Sequence, residues 1–307
     1  MTRVGFTARG WRPLPGDIMA VMPRWLSTVL AATLALPAAG AEIQELLAAG
    51  DAWWARRAEG QAAGTPAPLP IDEAVAAYTR ALAVAPDNLT VRWKLLRALF
   101  FEGEYATTDA DAKLALFERG RELAEVGIDQ LSREVGGRQT LDALEPEEIA
   151  AAVDDRTLAA ETFFWATVHW GLWGQTRGKL AAARQGVAGT VREYAERVVA
   201  LDRTVQNAGG HRILGRLHSE APRIPFITGW IDHERAVVEL ERARDLSPDD
   251  LLTRVYWAEA LLDHFPRRAP EALAELRAVV ASSPDPDFLV EELRAIEEAK
   301  ALLAKHG

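Results

Sequence analysis

The chain has 307 residues, with 35 Lys and Arg against 45 Asp and Glu, no cysteine, and 49% hydrophobic residues. The absence of cysteine excludes disulfides, Cys-ligated zinc, iron–sulfur clusters and a thiol nucleophile. The formal net charge of -10 argues against binding to nucleic acid or to anionic membranes, because both need a basic face. The composition therefore leaves an acidic globular protein with enough apolar residues for a sizeable core.

Residues 1–41 have the features of an export signal. Arg24 supplies a positive charge, and an uncharged apolar run follows at 25–36. This run is shorter than the roughly 20 residues that a membrane span needs. Ala39-Gly40-Ala41 fits the small-x-small pattern of signal peptidase sites, so we predict cleavage after Ala41. The rest, 42–307, is then a single helical domain in the periplasm, with no membrane span after cleavage.

The very start of the chain does not fit this pattern. Residues 1–18 resemble neither a signal nor part of a domain, whereas a start at Met19 or Met22 would give a signal of conventional form. We therefore expect that 1–18 is a mis-assigned start. An uncleaved anchor is the alternative to cleavage, and Pro37 together with the small residues at 39–41 favours cleavage.

From residue 42 onward, apolar residues recur at spacings of three and four while strand-like alternation is missing, which predicts an all-α fold. Prolines followed by Asp or Asn at 86–88, 247–249 and 283–285 stop one helix and cap the next. The predicted helices are 42–60, 70–85, 89–102, 110–134, 146–153, 157–174, 179–202, 207–219, 231–246, 250–264, 269–282 and 287–305.

The most specific feature is an internal repeat. Three segments place a small residue, a large residue, a second small or branched residue and a proline at spacings of 4, 3 and 5. The three sets are Ala74, Tyr78, Ala81 and Pro86; Ala236, Leu240, Ala243 and Pro248; and Ala272, Leu276, Val279 and Pro284. A helix lying against its hairpin partner needs small residues where the backbones approach, a large one to fill a hole, and a stop.

This pattern resembles the second helix of a tetratricopeptide repeat (TPR), which implies a TPR-like α-solenoid. The spacing between the copies indicates about five helical hairpins, with irregular insertions at 103–111, 136–156 and 219–230. A polar capping helix at 287–305 closes the array, as the end of a solenoid requires.

The segment 163–178 (FFWATVHWGLWGQTRG) has the most unusual composition. On a helix, Trp165, His169 and Trp173 fall on one face and Trp170 falls on another. Two interpretations remain open. The segment is the enclosed central helix of a two-layer solenoid, or one face lines a pocket for an apolar or carboxylate ligand, with His169 or an indole N–H as the polar contact.

The insertion at 219–230 (SEAPRIPFITGW) carries apolar residues, including Phe226 and Trp230, where a solvent-exposed turn should be polar. Such a turn either folds into the groove of the solenoid or is presented to a partner. Arg212 and Arg216 lie four residues apart on the preceding helix. They are candidates for holding an anion, although ordinary ion pairs with the many carboxylates are the simpler interpretation.

Several of these features together resemble the T component of tripartite ATP-independent periplasmic (TRAP) transporters, over roughly 70–282. They are the signal, the degenerate TPR hairpins, Trp165-Ala166, Trp170-Gly171-Leu172-Trp173, and the Gly-Gly helix that leads to the turn ending at Trp230. The resemblance implies a periplasmic protein that pairs with the transporter's solute-binding subunit. It also implies apolar-ligand binding and, in some members, ring-like oligomers with a pore through each subunit.

This sequence differs from lipid-anchored members in having no cysteine at the cleavage site, and its oligomeric state, including a homo-oligomer, is left open. The alternative function is a generic cell-envelope scaffold that binds an envelope complex without a ligand pocket. We expect no enzyme activity, since there is no G-x-S-x-G, no H-E-x-x-H and no phosphate-binding loop. We also expect no cofactor and no metal, because the six histidines form no i,i+3 or i,i+4 pair.

Overall fold

Capping side chains set where many of the helices begin. Asn88 Oδ1 accepts a hydrogen bond from the Val91 N–H, and Asp155 accepts one from the Leu158 N–H. Each cap satisfies one of the backbone donors that the first turn of a helix leaves free. Side chains that cap in this way are Asn88, Asp109, Asp155, Asp232 and Asp250.

The computed structural model describes the backbone of residues 24–307 and, except at 24–39 and 179–180, their side chains. In this part of the chain there are fourteen α-helices and no β-strand, which confirms the predicted all-α fold. The helices are α1 (Arg24–Ala55), α2 (Pro68–Val84), α3 (Leu89–Phe101), α4 (Ala110–Ser132), α5 (Arg138–Ala143), α6 (Pro146–Ala152), α7 (Arg156–Arg177), α8 (Lys179–Arg184), α9 (Val187–Leu201), α10 (Val205–Glu220), α11 (His233–Leu246), α12 (Leu251–His264), α13 (Ala269–Ala281) and α14 (Leu289–His306).

The predicted export signal falls mostly on residues that the structure does not describe. Residues 1–23, which include the expected mis-assigned start, lie outside the described part of the chain. α1 runs through the predicted cleavage site after Ala41, so cleavage stays a prediction. Within 24–307, none of the helices has the length and apolar character that crossing a bilayer requires.

Residues 43–307 form two layers of helices. In layer A, α3, α7, α10, α12 and α14 pack side by side in that order. Layer B consists of α2, α4, α9, α11 and α13, and each of these helices packs between two consecutive helices of layer A or at its end. Because helices of layer A contact one another along the whole array, layer A is the more tightly packed layer and lies on the inside of the curve.

The repeat residues explain how the hairpins close. Tyr78 of α2 lies over Gly50 of α1, where an added Cβ would come within 2.4 Å of the ring. Leu240 of α11 lies over Gly215 of α10 with the same 2.4 Å approach. The large residue of the repeat therefore fills the space that a glycine leaves on the partner helix. All nine non-proline repeat residues are fully buried: Ala74, Tyr78, Ala81, Ala236, Leu240, Ala243, Ala272, Leu276 and Val279.

The capping helix α14 also packs against the first hairpin, so the array closes on itself. Arg57, which follows α1 and is 7% exposed, donates from Nε and Nη2 to Glu291 Oε1 at 3.0 Å in each case. Its Nη2 also bonds the Asp287 carbonyl. Val290 is fully buried in the same apolar cluster as the residues of α2 and α3. This pairing joins the two ends of the described solenoid.

Three local features differ from the predicted helices. The segment predicted as one helix at 179–202 is broken between α8 and α9, where Gly186 has a left-handed φ of 68°. The insertion at 136–156 contains two short helices, α5 and α6, rather than one. The insertion at 103–111 is not entirely a loop, because its first half belongs to a π-helical segment, Glu102–Ala106.

The start of α10 is unusual. Gln206, Asn207 and Ala208 all have left-handed backbone angles, with φ values of 50°, 57° and 56°. Such angles cost about 1–2 kcal/mol for each residue with a side chain. Arg212 offsets part of this cost, since Nη1 donates to the Asn207 carbonyl and Nη2 to the Gln206 carbonyl. α10 therefore has a regular backbone only from Gly209 onward.

We expect Gly215→Ala to destabilise the protein by about 1–3 kcal/mol, because the new methyl group would overlap Leu240 and the Ala236 carbonyl in a packed core. Urea unfolding followed by tryptophan fluorescence measures the effect. Gly189→Ala is the matched control. Gly189 lies in α9 with nothing within 4 Å of the added Cβ, so the change should be neutral or stabilising by up to about 1 kcal/mol. Equal effects of the two substitutions would contradict this account of the hairpin.

Candidate functional site

The aromatic segment predicted from the sequence lies on α7, which packs against α3, α4, α9 and α10. Trp165 and Trp173 are 4% and 2% exposed, and His169 is fully buried. His169 Nε2 lies 2.9 Å from the Leu96 carbonyl oxygen, so Nε2 carries the proton and donates. Burial lowers the pKa of His169 to about 4, which leaves it neutral at physiological pH. α7 is thus an enclosed central helix.

The three indole N–H groups of this segment have different surroundings. Trp165 Nε1 donates to Glu161, one turn earlier on α7, at 3.1 Å. Trp170 Nε1 donates to Glu125 of α4 at 2.6 Å. Trp173 Nε1 is buried without a partner among the described residues. Since Trp165, His169 and Trp173 are packed in the core, a ligand could reach them only by displacing other side chains, and their ligand-binding role stays a prediction.

Arg212 and Arg216, the candidate anion-binding pair, already have carboxylate partners. Arg212 Nη1 lies 3.2 Å from Asp250 Oδ2, in addition to its bonds to the turn that begins α10. Arg216 forms a close ion pair with Glu259 and lies 3.4 Å from Glu220. A free anion would have to compete with these carboxylates. The two arginines are therefore better explained as residues whose ion pairs connect α10 to α12.

The turn between α10 and α11 is held by its own polar groups. Thr228 Oγ1 accepts from the Ile224 N–H at 2.8 Å and donates to the Pro222 carbonyl at 2.5 Å. Trp230, at the end of the turn, packs its ring against His218 at 5.5 Å and under the Arg192 guanidinium at 4.3 Å. The turn therefore has a fixed base on α9 and α10 rather than lying loosely over the surface.

The tip of this turn exposes apolar side chains. Phe226 is 106% exposed and Ile227 is 54% exposed. Phe226 also has a left-handed φ of 63°, which is a strained conformation for a bulky residue. A phenylalanine that is both strained and fully exposed contributes nothing to the stability of the folded chain. Residues in this state are found at functional sites more often than elsewhere.

On the inside of the closed array, charged and phenolic side chains from several elements face one another. Burial raises the pKa of Tyr105, in the π-helical segment, well above its usual value, and the charge of Glu291 on α14 raises it further. Arg212 of α10 acts in the opposite direction. Burial likewise raises the pKa of Tyr256 on α12 to about 12. The inner face is therefore polar as well as aromatic.

One part of this inner face was not predicted from the sequence. The guanidinium of Arg97 on α3 lies 4.0 Å from the ring centroid of Trp54 and 5.0 Å from that of Trp93. The contact of Arg97 with Trp93 could have been predicted from the sequence, because residues four apart on a helix are neighbours. The contribution of Trp54, by contrast, depends on how α1 packs against α3.

Two surface cavities and one acidic cluster of the described residues lie outside the aromatic segment 163–178. Two hollows of about 440 and 200 Å³ are lined by other residues, the larger by Val199, Arg203, His211, Arg242, Asp245 and Leu246. Among the described residues, one carboxylate cluster, Glu220, Glu259 and Asp263, has metal-ligand spacing. Two of its three members are paired with Arg216, so its charge is already partly neutralised.

Together, the paired layers, the repeat packing and the closed inner face define a TPR-like α-solenoid, a scaffold of a kind typical of non-catalytic proteins. The sequence model of the TRAP transporter T-component family matches residues 98–306. The chain belongs to this family, and the predicted resemblance is confirmed. The match covers α4 to α14 and the end of α3, and therefore includes both α7 and the exposed turn.

No curated protein matches the chain. Among solved structures, it is similar to the TPR2AB-domain:pHSP90 complex of yeast Sti1, with 13% sequence identity and a TM-score of 0.30. That similarity covers 87% of this chain and 99% of the other.

His218, which supports the turn, is expected to make stability depend on pH. Burial first, and the nearby Arg235 and Arg192 in addition, lower its pKa to about 4. In the unfolded chain the imidazole titrates near 6.5. The unfolded state therefore binds a proton that the folded state excludes, and stability falls as the pH drops from about 6.5 toward 4.

Replacing His218 by Asn removes this term. We subtract the unfolding free energy of His218→Asn from that of wild type at each pH. Between about pH 7.5 and about pH 5 this difference should fall by about 2 kcal/mol, because only wild type has to exclude the proton. Urea unfolding at constant ionic strength measures both values. Comparing the two proteins at each pH cancels the titration of groups that they share. A difference that stays the same at both pH values would show that His218 is not excluded from protonation.

Proposed function

We propose that this chain is a periplasmic T component that binds the solute-binding subunit of its transport system through the turn at 219–230. The observation that carries the proposal is the tip of that turn, where Phe226 is fully exposed on a base fixed by hydrogen bonds. Membership of the T-component family supports a role in a TRAP system. Export through residues 1–41 would bring the protein to the compartment where such a subunit works.

The turn has the properties of a binding hot spot. Aromatic residues contribute much of the energy at protein interfaces, and a side chain presented in a fixed conformation loses little entropy on binding. Phe226 and Ile227 are adjacent and both exposed. The partner surface that fits them is an apolar pocket, with polar groups where it meets Arg223, whose Nε donates to the Gly229 carbonyl of the same turn at 3.2 Å.

An apolar ligand held by Trp165, His169, Trp170 and Trp173 belongs to the proposal as a secondary element. Three of these four side chains are buried in the core, so ligand entry would require α7 and its neighbours to separate. Partner binding through the turn needs no such rearrangement and is the better supported part.

The proposal is tested with Phe226→Gly. Glycine adopts left-handed angles without strain, so we expect unchanged or slightly raised stability, by up to about 1–2 kcal/mol. At the same time, affinity for the solute-binding subunit should fall about tenfold or more, as loss of an aromatic anchor does. Calorimetric titration measures the affinity and thermal unfolding measures the stability.

Leu69→Ala is the control, since Leu69 is 60% exposed on α2, away from the turn, and its loss should leave binding unchanged. If wild type fails to bind the solute-binding subunit and recovers only other envelope proteins from intact cells, the generic scaffold is the correct function. If Phe226→Gly instead lowers the mass of the protein in solution, the turn contacts a second copy of this chain.

A further inference from the structure

Two histidines that are far apart in the sequence meet next to the turn at 219–230. The rings of His233, the first residue of α11, and His264, the last residue of α12, stack with centroids 3.7 Å apart and planes 12° from parallel. His233 is exposed and His264 is partly exposed. The sequence did not indicate this pair, because only histidines three or four residues apart can be recognised as neighbours on one helix.

The hydrogen bonds of the pair fix which nitrogen of each ring carries the proton. His233 Nδ1 lies 3.2 Å from the His218 carbonyl oxygen, and His264 Nε2 lies 3.1 Å from the Ser219 carbonyl oxygen. A carbonyl oxygen can only accept, so both of these nitrogens donate. In a neutral ring the other nitrogen has a free lone pair. His233 Nε2 and His264 Nδ1 are these nitrogens, and neither has a hydrogen-bond partner among the described residues.

Histidines that bind metals have this arrangement. Their second ring nitrogen almost always donates to a backbone carbonyl, a carboxylate or water, which fixes the tautomer and orients the ring. In this protein two consecutive carbonyls at the end of α10 hold the two rings in this way. Because the two nitrogens of an imidazole lie on different edges of the ring, both free lone pairs point away from α10.

The spacing of the two rings fits a single metal ion. Imidazole nitrogens lie about 2.0–2.1 Å from Zn²⁺, so two of them on one ion are about 3 to 3.4 Å apart. The ring centroids of His233 and His264 are 3.7 Å apart, and small rotations of the side chains are enough to close the difference. Since His233 is exposed, an ion with its water ligands can reach the pair without displacing the core.

The charges near the pair favour a cation. Asp263, which precedes His264, belongs to the carboxylate cluster with Glu220 and Glu259. Arg216 pairs with both of these glutamates, whereas Asp263 forms no ion pair with a described residue. One carboxylate of the cluster therefore keeps its full negative charge at the end of α12, where it attracts a dication through space.

We propose that His233 and His264 together bind one transition-metal dication of the kind that prefers imidazole, namely Zn²⁺, Cu²⁺ or Ni²⁺. The two free nitrogens are the protein ligands, and water completes the coordination. Ca²⁺ and Mg²⁺ prefer oxygen ligands and do not bind the pair. The ion joins α11 to α12, and both rings are already bonded to the end of α10. Metal binding by the pair does not depend on the proposed partner binding.

The test uses the full chain without a histidine tag, freed of metal with EDTA and then dialysed, in calorimetric titrations with ZnCl₂. We expect one Zn²⁺ per chain and no competition from an about hundredfold excess of Mg²⁺. Zn²⁺ should also raise the unfolding temperature, because an ion that binds the folded state stabilises it. With Cu²⁺, the electron paramagnetic resonance spectrum should show coupling to two imidazole nitrogens. A Kd for Zn²⁺ above about 1 mM would overturn the proposal.

His233→Asn and His264→Gln each remove one ligand and keep the hydrogen bond. The amide nitrogen of Asn takes the place of Nδ1 and that of Gln takes the place of Nε2, so each can still donate to its carbonyl. We expect each variant to bind Zn²⁺ about tenfold or more weakly and to lose the rise in unfolding temperature. His306→Gln is the matched control, since His306 is a partly exposed histidine at the end of α14, and Zn²⁺ binding should be unchanged.

Circular dichroism checks that each variant folds. If a histidine variant does not fold, the Cu²⁺ spectrum of wild type decides, and coupling to fewer than two imidazole nitrogens overturns the proposal. Zn²⁺ affinity that falls in neither His233→Asn nor His264→Gln, or in only one of them, also overturns it. Asp263→Asn should weaken binding less than either histidine variant, because Asp263 acts through its charge alone. A larger loss in Asp263→Asn would assign the ion to the carboxylate cluster instead and overturn the proposal.

Discussion

The pairing of Arg57 with α14 is the constraint on which the rest of the structure depends. A solenoid is held together by contacts between neighbouring repeats, and its two ends are normally independent. Here the Arg57 guanidinium bonds Glu291 and the Asp287 carbonyl while it stacks on Trp54 at 4.4 Å. The last helix therefore completes the apolar cluster of the first hairpin, and layer A becomes a closed inner wall.

Closure explains why the inner face is so polar. Side chains that would face open solvent in an extended array here face each other across a confined space. Tyr105, Tyr256 and Glu298 come from three separate elements, and burial raises the pKa of each. Arg57, Arg212 and Arg216 pair with Glu291, Asp250 and Glu259, respectively. Arg97 of α3 lies instead between Trp54 and Trp93, whose ring faces stabilise its charge.

The sequence contained enough information to predict the repeats but not their closure. Ala236, Leu240 and Ala243 could be assigned to one buried stripe because helical spacing is a local property. Arg57 and Glu291 are distant in sequence, and nothing in either neighbourhood indicates that they meet. Likewise, the break at Gly186 was missed because the apolar periodicity of α8 continues into α9, and a single glycine inside a helical pattern does not predict a left-handed turn.

The candidate site, too, was predicted only in part from the sequence. The composition of 163–178 identified α7 as the unusual helix. The apolar tip at Phe226 could also be predicted, because an exposed turn normally carries polar residues. Whether the side chains of α7 form a core or line a pocket depends on how far they are buried. Their burial depends in turn on neighbouring helices that α7 contacts only in the folded chain. Arg212 and Arg216 were predicted from their spacing alone, whereas their partners, Asp250 and Glu259, lie on α12. Which carboxylate each arginine meets is thus a property of the assembled layers.

The left-handed residues at the start of α10 also bear on how the chain folds. In most helical-repeat proteins contacts are local, and such proteins fold quickly because little chain entropy is lost before contacts form. Here the junction between α9 and α10 must adopt three unfavourable backbone conformations in succession. The ends of the array must also meet across more than two hundred residues of chain. Hairpins with local contacts can therefore assemble readily, whereas the turn that directs α10 and the contact between the two ends oppose rapid folding, the first through backbone strain and the second through chain entropy.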